Sequence, residues 1–303
     1  MSVEREKVHF VSGGTQCAAW HYPGTNGVCV IMAGGLAVTK EAATDLFARR
    51  FHDAGFSVLA FDYRGLGESA GEPRLVLPMK AQQADWEAAI AFAGTLPGTA
   101  PDRLALWGFS ASAGHLLPVA ARNPQLAAVI LQTPFVGGLS ATRKAASHQT
   151  TWAALRFTGV GLLDMLGGVF GRRPTLIPLS REPGTVALLA TPDALDGDRA
   201  LNPGNCHPDW AQMVAARTAL AMVAYRPGRS AARVRSPLLV VTCDQDQSTP
   251  AEEVRRATQH APLVEYSQIP GRHYAPFLEA HEQAVDAQLA FLGRHAVRRL
   301  PAR

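Results

Sequence analysis

The chain has little cysteine, no long hydrophobic run and almost no excess of one charge. Its four cysteines, Cys17, Cys29, Cys206 and Cys243, form no Cys-x-x-Cys pair and stand at no metal-ligand spacing from a histidine. That excludes a disulfide scaffold and a zinc module and leaves reduced, mostly buried thiols. The most apolar later stretch, Gly159 to Gly171, is too short to span a bilayer and is broken by Asp164. The opening MSVEREKVHF lacks the apolar core of a secretion signal, so a cytoplasmic protein is expected. Lys and Arg exceed Asp and Glu by 29 to 25, and much of that surplus sits in the tail Gly293 to Arg303, which reads as solvated. GGLAVTK lacks the interval and the GK[ST] ending of a phosphate loop. No metal, organic cofactor, nucleic acid or membrane is therefore expected as a partner, and there are no repeats.

What is present is an alternation of apolar runs and amphipathic stretches in a chain long enough, at 303 residues and 47% hydrophobic, for a sizeable core. Two β-like runs flank the turn signal SGGT and predict an opening hairpin at Val8 to Val11 and Cys17 to Tyr22. Dense apolar runs then predict strands buried on both faces at Gly27 to Ala33, Phe56 to Asp62, Arg103 to Trp107, Ala127 to Gln132 and Pro237 to Cys243, with a last strand at Val264 to Ile269. Helices are predicted between them: Glu41 to Ala54, Met79 to Gly94, Ser112 to Arg122, one opening at Pro250, and Glu279 to Leu292. Thr249, Pro250 and Glu252 read as N-cap, first-turn proline and capping-box glutamate. The alternation predicts an α/β fold, a mostly parallel eight-stranded sheet flanked by helices.

The rhythm breaks between Val136 and Pro227. An excursion of that length needs structure of its own. It is read as a mainly helical cap, 136–227, inserted into a core of 1–135 and 228–303, with helix-like stretches at Trp152 to Phe157 and Ala211 to Tyr225. Apolar cap segments suit a pocket wall and a contact between two copies equally well, so a homodimer stays among the expectations.

Ligands of open parallel sheets bind beyond the carboxyl ends of the strands, which is where reactive residues are sought. After Trp107 comes Gly108-Phe109-Ser110-Ala111-Ser112. A strand turning sharply into a helix needs small residues two before and two after the turning residue. Gly108 and Ser112 meet that requirement around Ser110; Ser110 and Gly114 meet it around Ser112. Ser110, nearer the strand end, is the preferred nucleophile. Its helix-capping alternative stands unless partners exist. TCDQDQSTP after the next-to-last strand offers Asp246, preferred for its place at the mouth of the helix, and Asp244; the turn after the last strand holds His273. Three strand ends thus supply Ser, Asp and His, the types that activate a hydroxyl nucleophile.

That order, the turn at Ser110, and FDYRGLGESAGEP (Phe61 to Pro73) together resemble the α/β-hydrolase superfamily over most of the chain except the cap. LWGFSASAGH is similar to the LWGTSFSGGH pattern of bacterial dienelactone-hydrolase-like and serine peptidase-like hydrolases, and to fungal polyketide thiohydrolases and transferases. It departs from the pattern most notably where Ala113 replaces a glycine. The resemblance implies the catalytic set Ser110, Asp246 and His273. It implies an oxyanion hole from the amides of Ala111 and of Leu36, with Gly34 where relatives carry histidine, and no catalytic role for the DYRGxGxSxG run.

The function expected is hydrolysis of a carboxylic ester, thioester or lactone through an acyl-enzyme, on a small and apolar acyl substrate. Amide cleavage ranks behind, because it asks more of leaving-group protonation. The alternatives are an acyltransferase or lactone-forming cyclase using the same serine, and a binder without catalysis. Gly35, Phe135 and Trp152 are expected to bind substrate, with Phe157, Leu162, Leu163, Met165, Leu166 and Phe170 as further apolar lining. Asp193 and Asp196 read as solvated loop acids.

Overall fold

The computed structural model describes residues 5–138, 141 and 147–297. Strands β1 (Glu6–Ser12) and β2 (Thr15–Tyr22) form the expected hairpin. Its turn is Gly13-Gly14, both at positive φ, the geometry that matches strand twist and that glycine adopts without steric cost. β3 (Cys29–Ala33), β4 (Ser57–Phe61), β5 (Leu104–Phe109), β6 (Ala128–Gln132) and β9 (Leu238–Cys243) bury every residue, which is why they read as unbroken apolar runs. With β10 (Val264–Ile269) they make an eight-stranded sheet in the order β1-β2-β4-β3-β5-β6-β9-β10, parallel from β4 onward. Helices α1 (Lys40–Asp53), α2 (Met79–Ala93) and α3 (Ala111–Arg122) follow β3, β4 and β5.

Between β6 and β9 the chain leaves the sheet. It builds α4 (Thr151–Val169), strand β7 (Leu176–Pro178), a short helix α5 (Asp196–Leu201), strand β8 (Met213–Ala215) and α6 (Ala216–Met222). The helix expected from Ala211 begins only at Ala216, because Met213 to Ala215 pair with Leu176 to Pro178 instead. α4 is fastened to α6 by Asp164, buried and accepting from Arg217 Nε at 2.9 Å, Arg217 N at 2.8 Å and Thr175 N at 2.7 Å. α7 (Ala251–Thr258) and α8 (His281–Leu292) complete the core. Of the basic tail, Gly293–Val297 is a π-helical turn with Ala296 buried and Arg294 and His295 paired to Glu265, rather than wholly solvated; residues 298–303 lie outside the described residues. The four cysteines are free thiols, Cys206 exposed and the other three buried.

The run Phe61 to Pro73 has a physical reason at several of its letters. Asp62 is buried and accepts from Lys40 N at 2.8 Å, Lys40 Nζ at 2.9 Å and Glu68 N at 3.1 Å. A side chain at Gly67 would collide with that carboxylate, 2.4 Å from its nearer oxygen. Ser69 Oγ donates to Asp62 O at 2.6 Å. Tyr63 receives the indole N–H of Trp86 at 2.8 Å and bonds the hydroxyl of Ser112, so this loop braces the helix that starts after β5. Lys40 also meets Glu68 at 2.7 Å and Glu41 at 2.9 Å; burial opposes its charge, but the charge and hydrogen bond of Asp62, joined by Glu41 and Glu68, outweigh that and hold its pKa above the ordinary lysine value.

Removing one member of such a buried pair leaves an uncompensated charge. Lys40→Met is expected to lower the free energy of unfolding by about 3–5 kcal/mol in a denaturant titration. The double change Lys40→Met with Asp62→Leu recovers much of the loss.

Candidate active site

The carboxyl ends of β5, β9 and β10 and the loop after β3 bring the expected residues to one end of the sheet. Ser110 stands between β5 and α3 at φ 54°, ψ −115°, a backbone region costly to any residue with a side chain. The turn is enforced by close approach. A Cβ on Gly108 would sit 2.7 Å from Ala113 N, and one on Gly114 would sit 2.2 Å from the Phe135 carbonyl oxygen. Ser112, the other candidate from spacing, is helical and buried, and its hydroxyl is taken by Tyr63.

His273 is fully buried in the loop after β10. Its Nδ1 lies 2.8 Å from Asp246 Oδ2, and its Nε2 is buried without a hydrogen-bond partner among the described residues. Asp246 accepts in addition from Thr249 N at 2.6 Å and Thr249 Oγ1 at 2.8 Å. Thr249 is therefore not the N-cap its sequence position suggested. Pro250 takes that position with no side-chain cap, and the hydroxyl serves to orient the acid. Asp244 is exposed and accepts from Gly271 N at 2.8 Å, bracing the histidine loop at a distance from the imidazole's partner.

The loop after β3 folds against the serine. A Cβ on Gly35 would sit 3.6 Å from Ser110 Cβ, and Ala37 is at φ 55°. Leu36 and Ala111 both line a cavity of about 420 Å³ whose wall includes Ser110, Gly35 and Phe135. The Ala111 N–H is in the first turn of α3, where amides have no intrahelical acceptor and the helix dipole favours negative charge. From the cap come Ala153, Ala154, Phe157 and Thr158. Trp152 is not among the walls: it is 68% exposed, because each helical residue turns about 100° from its neighbour and Ala153 takes the inward position. Leu162, Leu163, Met165, Leu166 and Phe170 face outward for the same reason.

Several cap residues the sequence left unassigned hold the loops in place. Asp193, expected to be solvated, is fully buried and accepts from Gln247 N at 2.8 Å, Ser248 N at 3.1 Å and Ser248 Oγ at 3.0 Å, in the loop that carries Asp246. Asp196 approaches Arg272, beside His273, at 3.7 Å. Gly197 packs where a Cβ would meet the Tyr274 ring at 3.2 Å. Trp210 donates to the Ala37 carbonyl at 2.8 Å and so fixes the loop after β3. A paired aspartate and a lone tryptophan carry no periodic or spacing signal, which is why sequence reasoning passed over them.

Burial disfavours the charged imidazole, but the charge and hydrogen bond of Asp246, joined by the charge of Asp193, outweigh it and raise the His273 pKa above its ordinary value. Taking away an anion destabilises the imidazolium, so Asp193→Asn is expected to lower that pKa. Following the His273 ring proton by NMR through the titration checks the sign, and an unchanged midpoint would show that Asp193 acts only as a tether.

Residues 24–273 match the hydrolase family described as serine aminopeptidase, S33. The chain is 38% identical over 292 residues to the quorum-quenching protein AidA of Acinetobacter baumannii, covering 95% of this chain and 94% of that protein. It is 26% identical over 304 residues to a polyketide transferase of Aspergillus fumigatus, covering 97% and 99%. Among solved structures, the α/β hydrolase GrgF from Penicillium superposes with a TM-score of 0.79 at 22% identity, over 97% of this chain and 99% of that one, a likeness of fold. With its sheet order, its turn at Ser110 and this match over most of its length, the chain belongs to the serine aminopeptidase S33 family of α/β hydrolases and is an enzyme of hydrolase type.

Proposed function

We propose that the chain cleaves a carboxylic ester, thioester or lactone through an acyl-enzyme on Ser110. The observation that carries this reading is a serine held in a strained turn on the cavity wall, with a buried His273–Asp246 pair at 2.8 Å behind that wall, the His273 ring 5.3 Å from the ring of Phe109, the residue before the serine. Ser110 Oγ attacks the carbonyl carbon while His273 Nε2 takes its proton. The second ring nitrogen already donates to Asp246, so the tautomer is set and the imidazolium is stabilised as it forms. The serine–histidine hydrogen bond forms when substrate binds, since catalytic hydrogen bonds are often long or unformed in apo sites. Charge developing on the carbonyl oxygen meets the amides of Leu36 and Ala111. His273 then protonates the leaving group, the carbon–leaving-group bond breaks, and water repeats the sequence to free the acid.

A cavity of about 420 Å³ with walls such as Phe135, Phe157 and Leu220 suits a small apolar acyl group. Thiohydrolase, the name of a relative from Aspergillus aculeatus, and polyketide transferase, that of another from Aspergillus fumigatus, describe the two fates open to an acyl-enzyme. Transfer to an alcohol or amine is therefore the second reading, separated from hydrolysis by product analysis with and without an added acceptor.

A panel of p-nitrophenyl esters of increasing acyl length is expected to show release that peaks at a chain the cavity can hold and then falls. Ser110→Ala is expected to abolish release, by as much as about 10⁶-fold. Retained turnover in that variant within about tenfold of the parent removes Ser110 from the mechanism. Because the base must be neutral, kcat/KM rises with pH as His273 deprotonates, and the raised pKa moves that rise to higher pH than a free histidine would give.

A further inference from the structure

Helix α4 is apolar on two sides. Its inner side, Ala153, Ala154, Phe157 and Thr158, faces the cavity. Its outer side presents Leu155, Gly159, Leu162, Leu163, Leu166 and Phe170, which follow one another at helical spacing along a single stripe, with Trp152 and Val169 beside them. Exposure is 60% at Leu155, 71% at Leu163, 78% at Val169 and 80% at Phe170. So large a continuous apolar surface is more than a monomer in water leaves open, and it marks a contact.

The charges around the stripe say what kind. Arg156 stands on the helix and Arg172 and Arg173 follow it, all exposed and none ion-paired among the described residues. Arg172 N donates to Gly167 O at 2.9 Å, folding the basic pair back onto the helix end. The one acid between 151 and 176, Asp164, is buried and neutralised by Arg217. A second copy of the chain laid on this face, in either direction, would set arginines against arginines with no exposed carboxylate of the helix to meet them. A surface that is apolar below and anionic above satisfies both features.

We propose that the outer face of α4 docks in the plane of an anionic lipid surface, with its leucines, Trp152 and Phe170 in the headgroup–acyl boundary and Arg156, Arg172 and Arg173 at the phosphates. The expectation of no membrane partner rested on the length needed to span one, and a helix lying in the interface needs no such length. The docked helix is also the roof of the cavity, which sets the cavity beside a store of apolar acyl compounds. Docking does not depend on the acyl-enzyme reading: it is measured without substrate, so the two can fail separately.

The test is sedimentation of the full chain with vesicles of phosphatidylcholine alone and of phosphatidylcholine with phosphatidylglycerol, alongside its mass in solution. Binding to the anionic vesicles is expected, weakened about tenfold by high salt or by omission of the anionic lipid. Leu163→Glu with Leu166→Glu, and separately Arg172→Glu with Arg173→Glu, are expected to abolish it with the melting curve unchanged. No binding to either vesicle overturns the proposal. So does binding that ignores lipid charge and salt, and so does a dimer that forms in solution and is lost in the Leu163→Glu, Leu166→Glu variant, which would make a second copy the occupant.

Discussion

The turn at Ser110 is the constraint from which the rest of the site follows. β5 is buried throughout in the middle of the sheet, and α3 must start within one residue of its end. That is feasible only because Gly108 clears Ala113 and Gly114 clears the Phe135 carbonyl, so the strain of a serine at φ 54° is confined to one residue and held from both sides. The same geometry puts the first amides of α3, with no helical acceptors, beside the hydroxyl. The strained serine and the free amides beside it are thus products of a single backbone feature, the one on which the proposed nucleophile and half of the proposed oxyanion site rest. Tyr63, bonded to Ser112 and Trp86, braces the helix from the loop that Asp62 and Lys40 organise.

The cap is part of that arrangement as well as a cover for the cavity. Trp210 holds the loop after β3, Asp193 the loop of Asp246, and Asp196 with Gly197 the loop of His273. A buried carboxylate is costly unless its lone pairs are satisfied. Asp193 is satisfied by Thr191 beside it and by three donors in the Asp246 loop, so its burial depends on cap and core being in register. Its charge also reaches His273, which links the docking of the cap to the basicity of the imidazole. Orientation and electrostatics of the pair therefore depend on both parts of the chain.

The core was largely legible because its signals are local. Strands buried on both faces show as apolar runs, glycines mark turns and close approaches, and the order of Ser, Asp and His after successive strands is a pattern in one dimension. Elsewhere the local signal was present but misread. Thr249 has every mark of an N-cap, yet its hydroxyl is drawn to a carboxylate three residues earlier. Trp152 and the leucines of α4 are apolar in a segment that lines the cavity, but the helix turns them outward.

What the sequence alone determined is the layer architecture, the strand ends at which chemistry resides, and the residue types needed there, since each depends on hydrophobic periodicity and on backbone freedom at particular positions. What only the tertiary structure decided is which of the two serines at 110 and 112 occupies the turn, which of two aspartates meets the imidazole, and how Asp193 and Trp210 reach across from the cap. Those outcomes depend on contacts between residues far apart in the chain, down to differences of an ångström in approach, and no spacing along the sequence encodes such distances.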